Sequence, residues 1–156
     1  EGNSLILFQF VEKHGKPLHN MLSEKFNELP RNTRRLFYVS GETDVDTREE
    51  IRAITEKESD AIIVASMGTF STGINIKRLH NIIFASPSKS QIKVLQSIGR
   101  GLRVSDDGRK TTLYDITDDL HWRGRKNYTL MHGAERVKIY EKEEFNYKII
   151  KVDINV

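Results

Sequence analysis

No cysteine occurs among the 156 residues. Disulfides and thiolate metal sites are therefore excluded, the fold must rest on packing, and a reducing, cytoplasmic setting is expected. No apolar run reaches transmembrane length, and no signal peptide or lipidation motif is visible. A phosphate cradle of the form GxxxxGK followed by Ser or Thr is missing, as is the GxGxxG dinucleotide fingerprint. His14, His19, His80, His121 and His132 lack metal-type spacing, so no metal site is expected. A nucleophile, a base and an orienting group never fall in one neighbourhood, which argues against a small-molecule α/β enzyme. Charge of one sign is barely in excess: 25 Lys and Arg against 22 Asp and Glu, a net +3. That balance allows a nucleic-acid partner without demanding one.

What is present is 37% hydrophobic sequence, enough for one soluble domain with a sizeable core. The start at Glu1, without Met, leads us to expect an excised or processed fragment. Leu5 to Phe10 is a nearly continuous apolar run, the pattern of a strand covered on both faces. Pro17 opens a helix with Leu18, Leu22 and Phe26 inward, and Pro30 ends it. Arg35 to Val39 is a second strand closed by the Ser40-Gly41 turn. Asp46 with Glu49 then resembles a capping box for a helix running to about Glu58. Ala61 to Ala65 is a third strand, followed by a loop of small residues from Ser66 to Ile76. Asn81 to Ala85 and Thr111 to Ile116 supply the fourth and fifth strands. Beyond a basic segment, Arg123-Gly124-Arg125-Lys126, a helix is expected to about Glu143. Tyr147 to Ile154 alternates like a half-exposed edge strand. Four strand–helix alternations with short links predict an α/β fold with a doubly wound, mostly parallel sheet and helices on both faces.

The stretch Gln96-Ser-Ile-Gly-Arg-Gly-Leu-Arg103 stands out. At about 100° per residue, Gln96, Arg100 and Arg103 share one helix face while Leu95 and Leu102 turn to another. Arg offers a planar fork suited to phosphate oxygens. Gly99 and Gly101 leave room for close approach, though each costs the helix about 1 kcal/mol relative to Ala. Taken alone, the pattern also fits an ordinary basic amphipathic helix.

Ligands of an open parallel sheet bind at the carboxyl ends of its strands. Four segments converge there: the loop after Phe10, the Ser40-Gly41 turn, the Ser66 to Asn75 loop and the region feeding the Gln96 helix. Their Gly, Ser and Thr residues suit a phosphate backbone, and equally suit tight turns. Asp118-Asp119 is the nearest approach to a magnesium-binding pair, and no glycine loop accompanies it. The sheet thus carries a phosphate-clamping Arg pair without a cradle.

In this order the segments resemble the second RecA-like domain of a superfamily-two helicase of the phage recombination type. Gln96 to Arg103 resembles the sixth motif (QxxGRxxR), Ala65 to Ile76 the fifth, and Leu5 to Phe10 the fourth. Ser40-Gly41 with Arg48 resembles the short motif between fourth and fifth. The resemblance implies that residues 1–156 form the C-terminal motor half, with about 119–156 a family-specific helix and edge strand. It implies that Arg100 and Arg103 act as arginine fingers on ATP, with Gln96, Gly73 and Asn75 in nucleotide binding and coupling. Ser40, Gly41 and Thr69 would touch the DNA backbone, with Ser66 and Thr72 as alternative hydroxyls because this loop runs one residue longer than the common form. Arg123, Arg125 and Lys126 would add basic contacts. ATP and Mg²⁺ would be held mainly by an N-terminal RecA-like domain of the same polypeptide. The expected partner is branched or single-stranded DNA, and the expected state is a monomer. The alternative is a non-enzymatic nucleic-acid-binding module with a structural Arg pair. Phe70 and Trp122 are stacking candidates.

Overall fold

The computed structural model describes residues 2–29, 33–71, 76, 78–86, 108–120, 123–125 and 127–153, the side chains of 70 and 71 excepted. They fall into two compact units, Glu1–Ile116 and Thr117–Val156.

The first unit is built on five parallel strands: β1 (Ser4–Phe8), β2 (Leu36–Val39), β3 (Ile62–Ser66), β4 (Asn81–Phe84) and β5 (Thr112–Asp115). Their spatial order is β2-β3-β1-β4-β5. Registers such as Ile6↔Val64, Ile6↔Ile83 and Tyr38↔Val64 align the side chains of neighbouring strands face by face. Ile6, Phe8, Ile62 and Val64 form one buried face, against which Leu18, Leu22 and Phe26 pack. Those three side chains belong to α1 (Lys16–Glu28), which carries Pro in its first turn. Leu5, Leu7, Ile63, Ala65 and Phe84, on the opposite face, are also buried. Burial on both sides is why these strands read as unbroken apolar runs.

Two helix starts differ from the sequence reading. A single π-helical turn, Val11–Gly15, precedes α1, and Gly15 N–H donates to the Phe10 carbonyl at 3.0 Å. The second helix, α2 (Val45–Lys57), is capped by Asp44 rather than Asp46. Asp44 Oδ1 accepts from Thr47 N–H at 2.8 Å and Oδ2 from Thr47 Oγ1 at 2.7 Å, so one carboxylate satisfies two donors. After β3 the expected loop begins instead with a short helix, α3 (Met67–Ser71).

At the amino end of the sheet, fully buried Asn3 ties elements together. Its Nδ2 donates to the carbonyls of Thr55, Glu58 and Arg78 at 2.8–3.0 Å, and its Oδ1 accepts from Ala61 N–H at 2.9 Å.

In the second unit, α4 (Tyr128–Lys142) is capped by Asn127, whose side chain accepts from Leu130 N–H. Arg136 lies buried on this helix and donates to Thr117 Oγ1 at 2.9 Å. The expected edge strand at Tyr147 to Ile154 is not formed over its described part, residues 147–153. Ile149, Ile150 and Val152 are exposed there. Alternation supplies a strand's side-chain pattern, but a strand persists only beside a hydrogen-bonding neighbour.

Candidate nucleic-acid interface

The carboxyl ends of β2 and β3 lie side by side, Val39 opposite Ala65, and lead into two small-residue segments, a turn after β2 and the short helix α3 after β3. In the first, the Ser40 side chain is turned inward at 3% exposure, and its Oγ accepts from Glu42 N–H at 3.3 Å. Ser40 N–H donates to Thr43 Oγ1 at 3.0 Å. Arg48 Nη2 donates to the carbonyls of Ser40 at 3.4 Å and Gly41 at 3.2 Å, drawing both inward. Gly41 is exposed, and nothing lies within 4 Å of where its Cβ would be.

At the start of α3, Ser66 and Thr69 share a 2.6 Å hydroxyl–hydroxyl hydrogen bond, and Thr69 N–H donates to Ser66 Oγ. Thr69 is 4% exposed. Gly68 between them is exposed with open space around it. Each segment therefore begins on a buried serine, Ser40 or Ser66, and presents a glycine. Gly68 escaped the sequence reading because that reading sought hydroxyl contacts; the alternation of Gly with Ser and Thr was the available signal.

One strand further on, β1 ends at Phe8, and Phe10 stands half exposed. Its ring rests on His14, with centroids 5.3 Å apart and planes tilted 59°. His14 Nδ1 is hydrogen-bonded at 2.8 Å to Ser86 Oγ, which lies buried just past the end of β4. The apolar run hid this arrangement, since Phe10 reads as the last strand residue while the strand stops two residues earlier. Beside these rims, Lys16 is held above its ordinary range by the hydrogen bond and charge of Glu12, which keeps it cationic. Burial pushes the Tyr38 phenol up, so it stays neutral.

Arg123 and Arg125 belong to the second unit and are exposed. Arg123 takes a positive φ of 46° and Gly124 one of 75°, a tight turn just ahead of α4. Gln96, Arg100, Arg103, Gly73, Asn75 and Lys126, together with the stacking candidate Trp122, lie outside the described residues, and so does the Phe70 side chain. Among the described residues no group of three or more His, Asp or Glu could hold a metal ion.

A parallel sheet in the order β2-β3-β1-β4-β5, with helices between its strands, defines a RecA-like domain. The chain belongs to the family of the helicase conserved C-terminal domain, whose model matches residues 1–105. It is 35% identical to the ATP-dependent DNA helicase uvsW of Enterobacteria phage T4 over 162 residues, covering 97% of this chain and 31% of that protein. It is 32% identical to putative helicase 22 of a Sulfolobus islandicus filamentous virus over 97 residues, covering 61% of this chain and 17% of that protein. The crystal structure of T4 UvsW superposes with a TM-score of 0.69 at 35% identity, over 94% of this chain and 30% of that one. The C-terminal part of the Fun30 ATPase domain shares the fold, with a TM-score of 0.57 at 16% identity over 90% of this chain and 48% of that one. The chain spans less than a third of the length of the two viral helicases it matches. No helix among the described residues is long and apolar enough to cross a membrane.

Proposed function

We propose that this chain is the C-terminal motor half of an ATP-dependent DNA helicase or translocase acting on branched recombination and repair intermediates. The observation that carries the reading is the pair of exposed glycines, Gly41 and Gly68, just past adjacent strand ends, in a helicase-family domain whose sequence has no phosphate cradle. Gly41 and Gly68, exposed and with open space where a Cβ would be, let a phosphate backbone approach closely without its sequence being read, with Ser40 and Thr69 shaping the two segments from beneath. Arg123, Arg125 and Lys126 add charge contacts from the second unit.

The residues assigned to ATP are Arg100, Arg103, Gln96, Gly73 and Asn75, and this assignment rests on their motif positions. ATP and Mg²⁺ are bound mainly by an N-terminal RecA-like domain of the same polypeptide. Phosphoryl transfer is chiefly positioning and charge stabilisation, and an arginine supplied from outside the cradle is worth roughly 10³ to 10⁵ in rate. A cleft that closes on ATP and opens after hydrolysis moves one backbone grip relative to the other.

The test is twofold. The 156-residue chain alone should show no DNA-stimulated ATP hydrolysis, whereas the polypeptide that includes a cradle domain should show it. In that longer protein, Arg100→Ala or Arg103→Ala should lower turnover far more than DNA affinity. Equal losses in both would favour a non-enzymatic binding module, and robust hydrolysis by the short chain would overturn the division of labour.

A further inference from the structure

The carboxyl ends of β1 and β4 carry a feature that the phosphate-gripping segments do not use. From β1 the chain passes through α1 to β2, beyond β3, while the strand that follows β4 in sequence, β5, lies on β4's far side. The carboxyl ends of β1 and β4 therefore flank a point where connections diverge, the place where parallel sheets open a ligand crevice. Phe10 stands at that point with 51% of its surface exposed.

An isolated exposed Phe is unremarkable on a protein surface. This one is immobilised. Its carbonyl accepts from both His14 N–H at 2.9 Å and Gly15 N–H at 3.0 Å, which pins the backbone at the head of the π-helical turn. Its ring rests on His14, and His14 is anchored through Nδ1 to Ser86, which is 1% exposed. An exposed ring held from behind loses little further freedom when something stacks on it. Phe has no polar handle, so such a platform reads no sequence and accepts the π-face of any base. Lys13, exposed in the same turn, brings positive charge to the neighbourhood where a strand's phosphates would pass.

We propose that Phe10, seated on His14 and locked by Ser86, is a stacking platform for an unpaired nucleobase of the bound strand. The proposal rests on the nucleic-acid reading above and adds to it a contact with a base rather than with phosphate.

The experiment compares equilibrium binding of a labelled single strand with that of an abasic strand of the same length. It uses the longer helicase polypeptide as wild type, Phe10→Ala, Phe10→Trp and Ser86→Ala. Stacking one base on an aromatic ring is worth about 5- to 150-fold in affinity. Phe10→Ala should reduce the preference for the base-bearing strand by that factor and leave abasic binding and its salt dependence unchanged. Phe10→Trp should keep the preference, and Ser86→Ala should lower it in part. An unchanged preference in Phe10→Ala would overturn the platform while leaving the nucleic-acid reading standing. Failure of every strand to bind would overturn both. Phe10→Ala raising the KM for ATP without altering strand preference would assign the ring to the nucleotide's own base, and would likewise overturn the proposal.

Discussion

The ring of Phe8 fills the space beside Gly15: a Cβ on that glycine would lie 2.4 Å from Phe8 Cζ and 2.5 Å from Cε2. Phe8 is fully buried and stacks on Tyr38 with ring centroids 5.6 Å apart, so it has nowhere to retreat. Gly15→Ala should therefore cost about 1–3 kcal/mol, the usual penalty for overpacking a filled core. Gly41→Ala and Gly68→Ala, which meet open space, should stay within about 1 kcal/mol of wild type. Urea midpoints of the three variants check this; a Gly15→Ala protein as stable as Gly41→Ala would contradict the packing account.

Asn3 makes a second prediction about stability. Truncating it leaves Ala61 N–H and the carbonyls of Thr55, Glu58 and Arg78 without their shared partner at a buried site. Buried groups stripped of a hydrogen bond cost about 1–3 kcal/mol each, and relaxation recovers part of the sum, so Asn3→Ala should lose about 2–4 kcal/mol. Asn3→Asp should be worse, because it aims a carboxylate at three carbonyl oxygens. Denaturant unfolding of both variants measures the difference, and a neutral Asn3→Ala would remove this network from the fold's supports.

How far the chain could be read in advance follows from the same physics. Leu5 to Phe8 and Ala61 to Ala65 were legible as strands because both of their faces are buried, which leaves no polar alternation to confuse the pattern. The small-residue segments at Ser40-Gly41 and Ser66 to Thr69 were legible as positions but not in their orientation, and the second forms the start of a helix rather than a loop. Composition does not say whether a hydroxyl or a glycine faces out. Asp44 and Asp46 both offer a carboxylate near a helix start, and only the backbone geometry selects Asp44. Phe10 extends an apolar run, so its exposure depends on where β1 ends. The role of Asn3 depends on residues 52 to 75 positions away, beyond any local pattern.

Asp44 also sets a pH dependence. Its hydrogen bonds from Thr47 N–H and Oγ1 hold the carboxyl below its ordinary value of 3.8. A carboxyl that is more acidic when folded contributes stability that is fully present above its unfolded value and is lost as pH falls through its folded value. Asn caps a helix about as well as Asp and does not titrate there. Asp44→Asn should thus match wild type near neutrality and lose less stability on acidification below about pH 4. Urea midpoints at stepped pH provide the comparison, and parallel acid profiles for the two proteins would refute the linkage.

Arg48 and Arg125 separate two ways in which a cation can serve DNA binding. Arg125 is exposed, and as a phosphate contact it should release counterions; Arg125→Ala should weaken strand binding and flatten the salt dependence by about 0.7 in log–log slope for a single strand. Arg48 points the other way, its Nη2 spent on the carbonyls of Ser40 and Gly41. Removing it leaves the Ser40 carbonyl held by Thr43 N–H at 3.2 Å but frees that of Gly41 to turn outward, where oxygen would face phosphate, so affinity should fall about fivefold, the equivalent of one hydrogen bond of net worth. The salt slope should not change, since no phosphate charge was neutralised by this side chain. Arg48→Lys, whose ammonium carries donors enough for both carbonyls that Nη2 now serves, should restore affinity in part. A slope that drops in Arg48→Ala as it does in Arg125→Ala would make Arg48 a direct phosphate ligand and end its assignment as the residue that shapes the turn.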